Sequence, residues 1–218
     1  MLCWNVRGFR GGVDRAIAVV RGAAPDVVLL QESGRRSRLA AFAEALDLRV
    51  AADPPALFGR RVQDAVCVRR PWTIESRGFE RFSGRSFWSP RGAAVADLGL
   101  GPGRVRAVST HLGLHPRERA FHVEHLLAIV DGYDGPAIVG GDLNARPPQD
   151  AAMMLGERLR DVWEAAIAGG HTYPAGAPTA RIDYVFVTGQ IEVADADVLD
   201  TTVSDHRPVV ADLELPGG

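Results

Sequence analysis

Apolar and polar positions along the chain are arranged in a way that predicts a sheet-rich protein. Short apolar runs rich in valine and leucine are typical of strands that are buried in a sheet. Segments with apolar residues at helical spacing separate many of these runs. We expect strands near residues 1–6, 26–30, 48–51, 65–69, 73–79, 92–98, 104–111, 136–141, 182–187, 191–198 and 207–214.

Three longer helices are expected at residues 14–21, 37–46 and 116–130. The last of them begins with a proline, which the first turn of a helix tolerates. Its apolar spacing places Phe121 on the core face, whereas His122 is expected to be a surface or packing histidine. Shorter helices are expected after residue 148 and at residues 161–168.

Length and composition are those of one soluble domain. A chain of 218 residues can bury one sizeable core. It contains neither a signal-peptide pattern nor an apolar run near the roughly 18 residues of a membrane helix. We therefore expect a single domain over residues 1–218, cytoplasmic and monomeric, with no inferable protein partner. Cys3 and Cys67 lie in apolar runs and are expected to be core thiols.

The charge balance does not indicate a global polyanion-binding protein. There are 25 basic and 27 acidic residues, a net charge of −2, and every basic residue is arginine. Residues 35–91 nevertheless hold twelve arginines and six acids, a local excess of +6. Clusters such as Arg35-Arg36 are compatible with a phosphate-binding face and equally with solvated surface, and the pattern leaves both open.

A Gly-Gly-Asp-Leu-Asn segment directly follows the apolar run at residues 136–139. Residues two apart on an extended segment point to the same side, so Asp142 and Asn144 can act on one reacting group. The glycines allow backbone or ligand to come close. The alternative is a tight turn in which both side chains bond their own backbone.

Other polar, titratable side chains also stand where a predicted strand stops or starts. They are Asn5, Glu32, His111, Asp183, Asp205 and His206. Active sites are commonly built from such loop and strand-end positions. We therefore expect these side chains to share one rim.

Six motifs occur in the order WNV, QE, STHL, GGDLNA, RIDYVF and SDH, and they span nearly the whole chain. The set resembles the endonuclease/exonuclease/phosphatase superfamily, which includes deoxyribonuclease I, abasic-site endonucleases, neutral sphingomyelinases and inositol polyphosphate phosphatases. The resemblance implies an α+β fold, a four-layer α/β/β/α sandwich of two packed mixed β-sheets flanked by helices.

The residue types favour a hard divalent cation. A ligand set that consists of oxygen donors and contains no cysteine suits Mg²⁺, for which Mn²⁺ can substitute. Glu32 is the first ligand candidate, because an acid that ends an apolar run is costly near a core unless it meets a cation. Its alternative is a surface ion pair with Arg35 or Arg36. The resemblance implies the same ligand role for Glu32, completed by Asn5 and Asp205; an Asx-type turn is the local alternative for Asn5.

A histidine that takes a proton needs an acid to orient it. The resemblance implies that Asp183 does this for His206, and that the pair acts on the attacking water or on the scissile phosphate. It also implies that Asp142 activates water or binds a second cation, that Asn144 holds the phosphate, and that His111 donates to a phosphate oxygen. Arg181 is either a phosphate clamp or the ion-pair partner of Asp183.

At two positions the sequence departs from the abasic-site endonucleases, which narrows the choice of function within the superfamily. His111 stands where abasic-site endonucleases usually carry tyrosine, and Arg7 stands where they carry a metal-assisting acid. The histidine favours the deoxyribonuclease and sphingomyelinase side of the superfamily, and the arginine argues against a two-metal site and against abasic-site repair. We expect a Mg²⁺-dependent phosphodiesterase, an endonuclease acting on DNA. The alternatives are a phosphatase or sphingomyelinase-like phosphodiesterase acting on a small or lipid phosphoester, and a non-catalytic binding module on the same scaffold.

Overall fold

The computed structural model describes residues 1–54, 61–82, 91–164 and 170–216. The strands, in chain order, are β1 (Leu2–Asn5), β2 (Val27–Gln31), β3 (Gly34–Arg35), β4 (Leu48–Ala52), β5 (Arg61–Val62), β6 (Ala65–Arg69), β7 (Thr73–Arg81), β8 (Gly92–Leu100), β9 (Gly103–His111), β10 (Ala137–Asp142), β11 (Arg160–Asp161), β12 (Asp183–Val187), β13 (Glu192–Val198) and β14 (Val209–Glu214). The α-helices are α1 (Val13–Ala23), α2 (Arg36–Ala45), α3 (Pro116–Asp131) and α4 (Asp150–Gly156), and 3-10 helices occur at Arg7–Phe9 and Val162–Glu164.

Two six-stranded mixed sheets form the centre of the fold. The first has the order β13-β14-β1-β2-β6-β4 and the second the order β11-β12-β10-β9-β8-β7. In the first sheet β1 runs parallel to β2, and in the second β9 runs parallel to β10; the remaining neighbours are antiparallel. The carboxyl ends of each parallel pair therefore lie at one edge of their sheet.

Three apolar clusters show how the layers pack. One lies between the sheets and contains Leu29, Val66 and Val185. A second joins α1 and α2 to the outer face of the first sheet, and a third joins α3 and α4 to the outer face of the second. In β2, apolar side chains stand at successive positions, and both faces of the strand are buried. The predicted four-layer α/β/β/α sandwich is confirmed.

The structure corrects two predictions about local elements. Over the described residues, 161–168 is not an α-helix: Asp161 ends β11, the 3-10 helix Val162–Glu164 follows, and residues 165–169 lie outside the description. Phe121 is not on the core face, because α3 buries a stripe at positions 119, 122, 123, 126 and 130. His122 lies on that stripe, packed 4.8 Å from the ring of Phe82.

Cys3 and Cys67 are buried, unpaired thiols, as predicted. Burial raises the pKa of Cys67 to about 12, so its thiol is inert as a nucleophile. No helix within the described residues is long and apolar enough to cross a membrane.

Candidate active site

The predicted site residues meet at one rim, where both sheets end. Asp142, the last residue of β10, lies opposite His111 on β9 and opposite Asp183 on β12. Asn5 ends β1 in the other sheet, and its side-chain amide donates to Asp142 Oδ2 at 3.0 Å. This hydrogen bond joins the rims of the two sheets.

The two glycines before Asp142 permit this approach. A Cβ atom at Gly140 would lie 2.6 Å from Leu29 Cδ1 in the facing sheet, and one at Gly141 would lie 1.9 Å from the Thr110 carbonyl oxygen. The backbone contact at Gly141 excludes a side chain, and a side chain at Gly140 would require Leu29 to move. The glycine pair therefore sets the spacing of β10 against β9 and against the facing sheet.

Asp142 is the most highly connected side chain of the site. It is buried, and its Oδ1 accepts from the backbone nitrogen of Asn144 at 2.9 Å. Its Oδ2 lies 3.3 Å from His111 Nε2 and 3.7 Å from His206 Nε2. Burial raises the pKa of Asp142, and the nearby charge of Asp183 adds to this effect. The Asx-type bond to Asn144 and the contacts with the histidines coexist, so the local turn and the functional interpretation are compatible.

The predicted contact between Asp183 and His206 is present. His206 Nδ1 lies 2.9 and 3.0 Å from the two carboxylate oxygens of Asp183, which is buried. Trp4 Nε1 donates to the His206 carbonyl at 2.8 Å, and the Tyr173 ring lies 4.9 Å from the imidazole. Asp183 and Tyr173 thus hold the ring, and Trp4 holds the backbone of the same residue.

Charge around His206 favours the imidazolium form. Burial lowers the pKa of His206, but the bond to Asp183 and the charges of the nearby aspartates outweigh it and raise the pKa to about 9. At neutral pH this histidine is a hydrogen-bond donor and a positive charge.

His111 has the opposite electrostatic character. Burial lowers its pKa to about 4, with Arg91 acting in the same direction, so the ring is neutral at neutral pH. The Asn144 side-chain amide donates to His111 Nε2 and to the Leu112 carbonyl, both at 3.0 Å. His111 Nδ1 is buried, has no hydrogen-bond partner among the described residues, and lies 3.8 Å from Glu32 Oε1.

Glu32 and Asp205 lie at the margin of this cluster. Glu32 has a φ of +48°, a left-handed conformation that non-glycine residues seldom adopt and that is common at functional sites. Asp205 lies 3.2 Å from the guanidinium of Arg7. The backbone nitrogen of Arg7 donates to Asn5 Oδ1 at 3.0 Å, so Asn5 forms the Asx-type turn and binds Asp142 at the same time.

The donor set fits a hard divalent cation. Among the described residues, potential ligand atoms of Asp142, Asp183 and His206 lie within 4.8 Å of one another. This set differs from the predicted ligands Asn5, Glu32 and Asp205, whose role stays a prediction. Carboxylate and amide oxygens dominate the rim, and no cysteine lies there. The unpartnered Nδ1 of His111 beside Glu32 further indicates a polar site that is completed by a ligand.

The three candidate phosphate-binding arginines are not gathered at one place. Arg181 forms an ion pair with Asp161 at 2.5 Å and not with Asp183, so the predicted alternative of an Asp183 pair is wrong. Arg36 donates to the Asp53 carbonyl and lines a cavity of about 710 Å³ beside α2 and β4, and Arg35 is exposed. Their phosphate-binding role stays a prediction.

Sequence reasoning missed Asp64 as a buried acid. Its carboxylate is buried, and neither oxygen has a hydrogen-bond partner among the described residues. Burial raises its pKa well above the usual range, and the charges of Asp53 and Glu32 act in the same direction. The sequence did contain a signal for this buried acid: Asp64 directly precedes the apolar run of β6, just as Glu32 closely follows that of β2.

The sequence model of the Endonuclease/Exonuclease/phosphatase family matches residues 2–206. This chain belongs to that family. Members of the family are usually hydrolases that act on phosphoesters, and the arrangement at the rim agrees with such chemistry. The match includes all six motifs and every residue of the Asp142 cluster, and it ends at His206.

Solved structures of similar fold cover nearly the whole chain. An endonuclease/exonuclease/phosphatase from Bacteroides vulgatus matches with a TM-score of 0.86 and 19% identity, over 98% of this chain and 97% of that one. A Bacteroides thetaiotaomicron mannosyl-6-phosphatase matches with a TM-score of 0.82 and 19% identity, over 98% of each chain. D. rerio TDP2, humanized by 14 mutations, matches with a TM-score of 0.78 and 16% identity, over 98% and 97%. No curated protein matches the sequence.

Proposed function

We propose that this family member is a Mg²⁺-dependent phosphodiesterase that cuts DNA internally. The observation that carries the proposal is the connected cluster in which Asp142 lies between a protonated His206 and a neutral His111. Hydrolysis of a phosphoester needs charge neutralisation at the phosphoryl oxygens, a group that orients or deprotonates water, and stabilisation of the leaving oxygen. The cluster supplies a candidate for each task.

In this proposal His206 acts as a donor rather than as a base. Its raised pKa keeps the imidazolium at neutral pH, and Asp183 on Nδ1 leaves Nε2 free to donate to a phosphoryl or leaving oxygen. Asp142 is the water-orienting base, because burial raises its pKa toward the range in which a carboxylate accepts a proton effectively. Asn144 and His111 hold the phosphate.

Asn5, Glu32 and Asp205 are the proposed ligands of a Mg²⁺ ion, for which Mn²⁺ can substitute. When bound, the cation neutralises negative charge on the phosphoryl oxygens. The protein's own contribution is to hold the oxygen donors in place: Asn5 through Asp142, and Glu32 through its constrained backbone.

A small-molecule phosphatase or sphingomyelinase-like phosphodiesterase is the second candidate, and two observations favour it. The mannosyl-6-phosphatase shares the fold over 98% of both chains. In addition, two arginines of the basic segment bond internally rather than facing a substrate: Arg36 donates to the Asp53 carbonyl, and Arg38 to the Gly8 carbonyl at 2.7 Å.

One activity panel tests the proposal and separates the candidates. With Mg²⁺ present, plasmid DNA, single-stranded DNA, RNA, a chromogenic bis-ester, a sugar phosphate and an inositol phosphate are compared. Nicking of plasmid DNA that His206→Ala abolishes, with the fold intact by circular dichroism, supports the endonuclease. Turnover of the phosphomonoesters alone supports the second candidate. No turnover of any substrate supports the non-catalytic module.

A further inference from the structure

A cleft opens beside the proposed phosphoester site, on the β10 and β12 side. It has a volume of about 570 Å³, within the range of small-molecule sites. Arg146 and Pro147, from the loop after β10, form one wall. Trp163 and the segment that leads from His171 to Arg181 form the others.

Chain connectivity places the cleft next to the proposed site. Arg146 follows Asn144 by two residues, and Arg181 precedes Asp183 by two, so each lies at most about 7 Å along the chain from a site residue. The loop that follows β10 is also bonded to β12, because the Tyr184 hydroxyl donates to the Ala145 carbonyl at 3.0 Å. The walls of the cleft are thus continuous with the rim.

The charged groups that line the cleft favour the binding of an anion. Arg181 is fixed by Asp161 and by the Tyr184 ring, whose centroid lies 4.3 Å from the guanidinium carbon. Its charge is therefore compensated. Arg146 is exposed, and no carboxylate oxygen lies within 4.0 Å of its guanidinium among the described residues. His171 provides a further donor, and the described lining contains no acid.

We propose that this cleft binds a second phosphate of the substrate, adjacent to the phosphate at the Asp142 cluster. Arg146 is its principal contact, because a free guanidinium matches phosphate oxygens with two parallel hydrogen bonds. Trp163 offers an apolar surface to the sugar or base between the two phosphates. The neighbouring phosphate of a polynucleotide and the second phosphate of a bisphosphorylated small molecule share this chemistry. This inference rests on the proposed function where it places the second phosphate next to a phosphate at the Asp142 cluster. The binding of a phosphate by the cleft itself does not depend on that function.

Direct binding tests the cleft without turnover. Calorimetry measures the affinity of a nucleoside 3′,5′-bisphosphate and of the matching 5′-monophosphate for the metal-free protein in EDTA. Arg146→Ala is expected to weaken bisphosphate binding about tenfold, the loss of one charge-assisted contact, and to leave monophosphate binding within twofold. The matched control is Arg104→Ala, because Arg104 is the second residue of β9 and lies about 23 Å along that strand from His111. Equal loss for both ligands, or no loss, overturns the proposal.

Turnover then separates the two sources of the second phosphate. The wild type and Arg146→Ala are compared on an oligonucleotide, a sugar bisphosphate and a one-phosphorus chromogenic bis-ester. A raised KM on the oligonucleotide alone identifies a polynucleotide, and a raised KM on the sugar bisphosphate alone identifies a small molecule. A uniform change that includes the bis-ester contradicts the cleft assignment. A protein that binds bisphosphate through Arg146 but turns over nothing refutes the proposed function and retains the cleft.

Discussion

The guanidinium of Arg7 lies 3.2 Å from the carboxylate of Asp205, within the proposed metal environment. Both side chains are partly exposed, so this ion pair is worth little in free energy and is readily exchanged. The position of Arg7 is nevertheless constrained, because its backbone nitrogen donates to Asn5 Oδ1 and its φ is +45°. We therefore expect Arg7 to compete with a divalent cation for Asp205, its proposed ligand.

Arg7→Ala is expected to tighten binding of Mn²⁺ to the protein by up to about fivefold, since it removes an exposed competing ion pair. Asp205→Asn is expected to weaken it. Binding is measured by the loss of the free-Mn²⁺ electron paramagnetic resonance signal, with no substrate present. Arg10→Ala, three residues along the chain and exposed, controls for general loss of positive charge. Weaker metal binding in Arg7→Ala than in Arg10→Ala would contradict the competition.

Metal removal is expected to abolish phosphoester hydrolysis. EDTA should eliminate activity, and added Mg²⁺ or Mn²⁺ should restore it, because the hard oxygen donors at the rim suit either ion. Glu32→Gln should raise the metal concentration needed for half-maximal activity while leaving the thermal midpoint of the metal-free protein nearly unchanged. Full activity in EDTA would refute a metal-dependent reaction.

The Asp183 and His206 pair is expected to act as a unit. Asp183→Asn or His206→Ala should each lower kcat by about 10²–10⁴, the usual range for a positioned acid or base. The double variant should be scarcely worse than the worse single variant, because each residue acts through the other. Rates are compared under single-turnover conditions. Losses that multiply would show that the two residues act independently.

The protonation of His206 is expected to depend on Asp183. Its folded-state pKa of about 9 lies above its ordinary value of 6.5, so the stabilisation from the imidazolium is fully present below 6.5 and is lost as pH rises through about 9. In the metal-free protein, nuclear magnetic resonance titration should show His206 charged at neutral pH and His111 neutral down to a pKa of about 4. Of the two histidines, Asp183→Asn should lower the pKa of His206 only. A wild-type His206 that titrates near 6.5 would exclude the donor role.

Asp64 is expected to reduce stability at neutral pH. Its raised pKa means that the folded state binds the proton more tightly, so stability falls as pH rises above the ordinary value of 3.8 through the folded-state pKa. Asp64→Asn should therefore increase the free energy of unfolding at neutral pH, with little difference from the wild type below pH 3.8. Urea titrations at several pH values measure this, with the exposed Asp134→Asn as control. A constant difference at all pH values would argue against titration of Asp64.

Local patterns in the sequence predicted the strands and the rim of polar residues, and the family resemblance of the motifs implied the layered fold. Strand periodicity is a local property, and buried strands such as β2 and β10 carry continuous apolar runs that need no tertiary information. The motifs at strand ends then implied a shared rim, and Asp142, Asp183 and His206 do meet there. Two glycines before Asp142 likewise signalled a close approach, which the facing Leu29 side chain now explains.

Tertiary structure decided which charged groups pair, because a charge selects its partner by distance in space and not by sequence separation. Arg181 pairs with Asp161, 20 residues away, rather than with Asp183, two residues away. Arg7 meets Asp205 across almost the whole chain, and Asp64 is buried with no hydrogen-bond partner in the part of the chain that the structure describes. The opposite protonation of His111 and His206 has the same origin: burial outweighs the nearby Asp142 carboxylate at His111, whereas the bond to Asp183 and the charges of the nearby aspartates outweigh burial at His206.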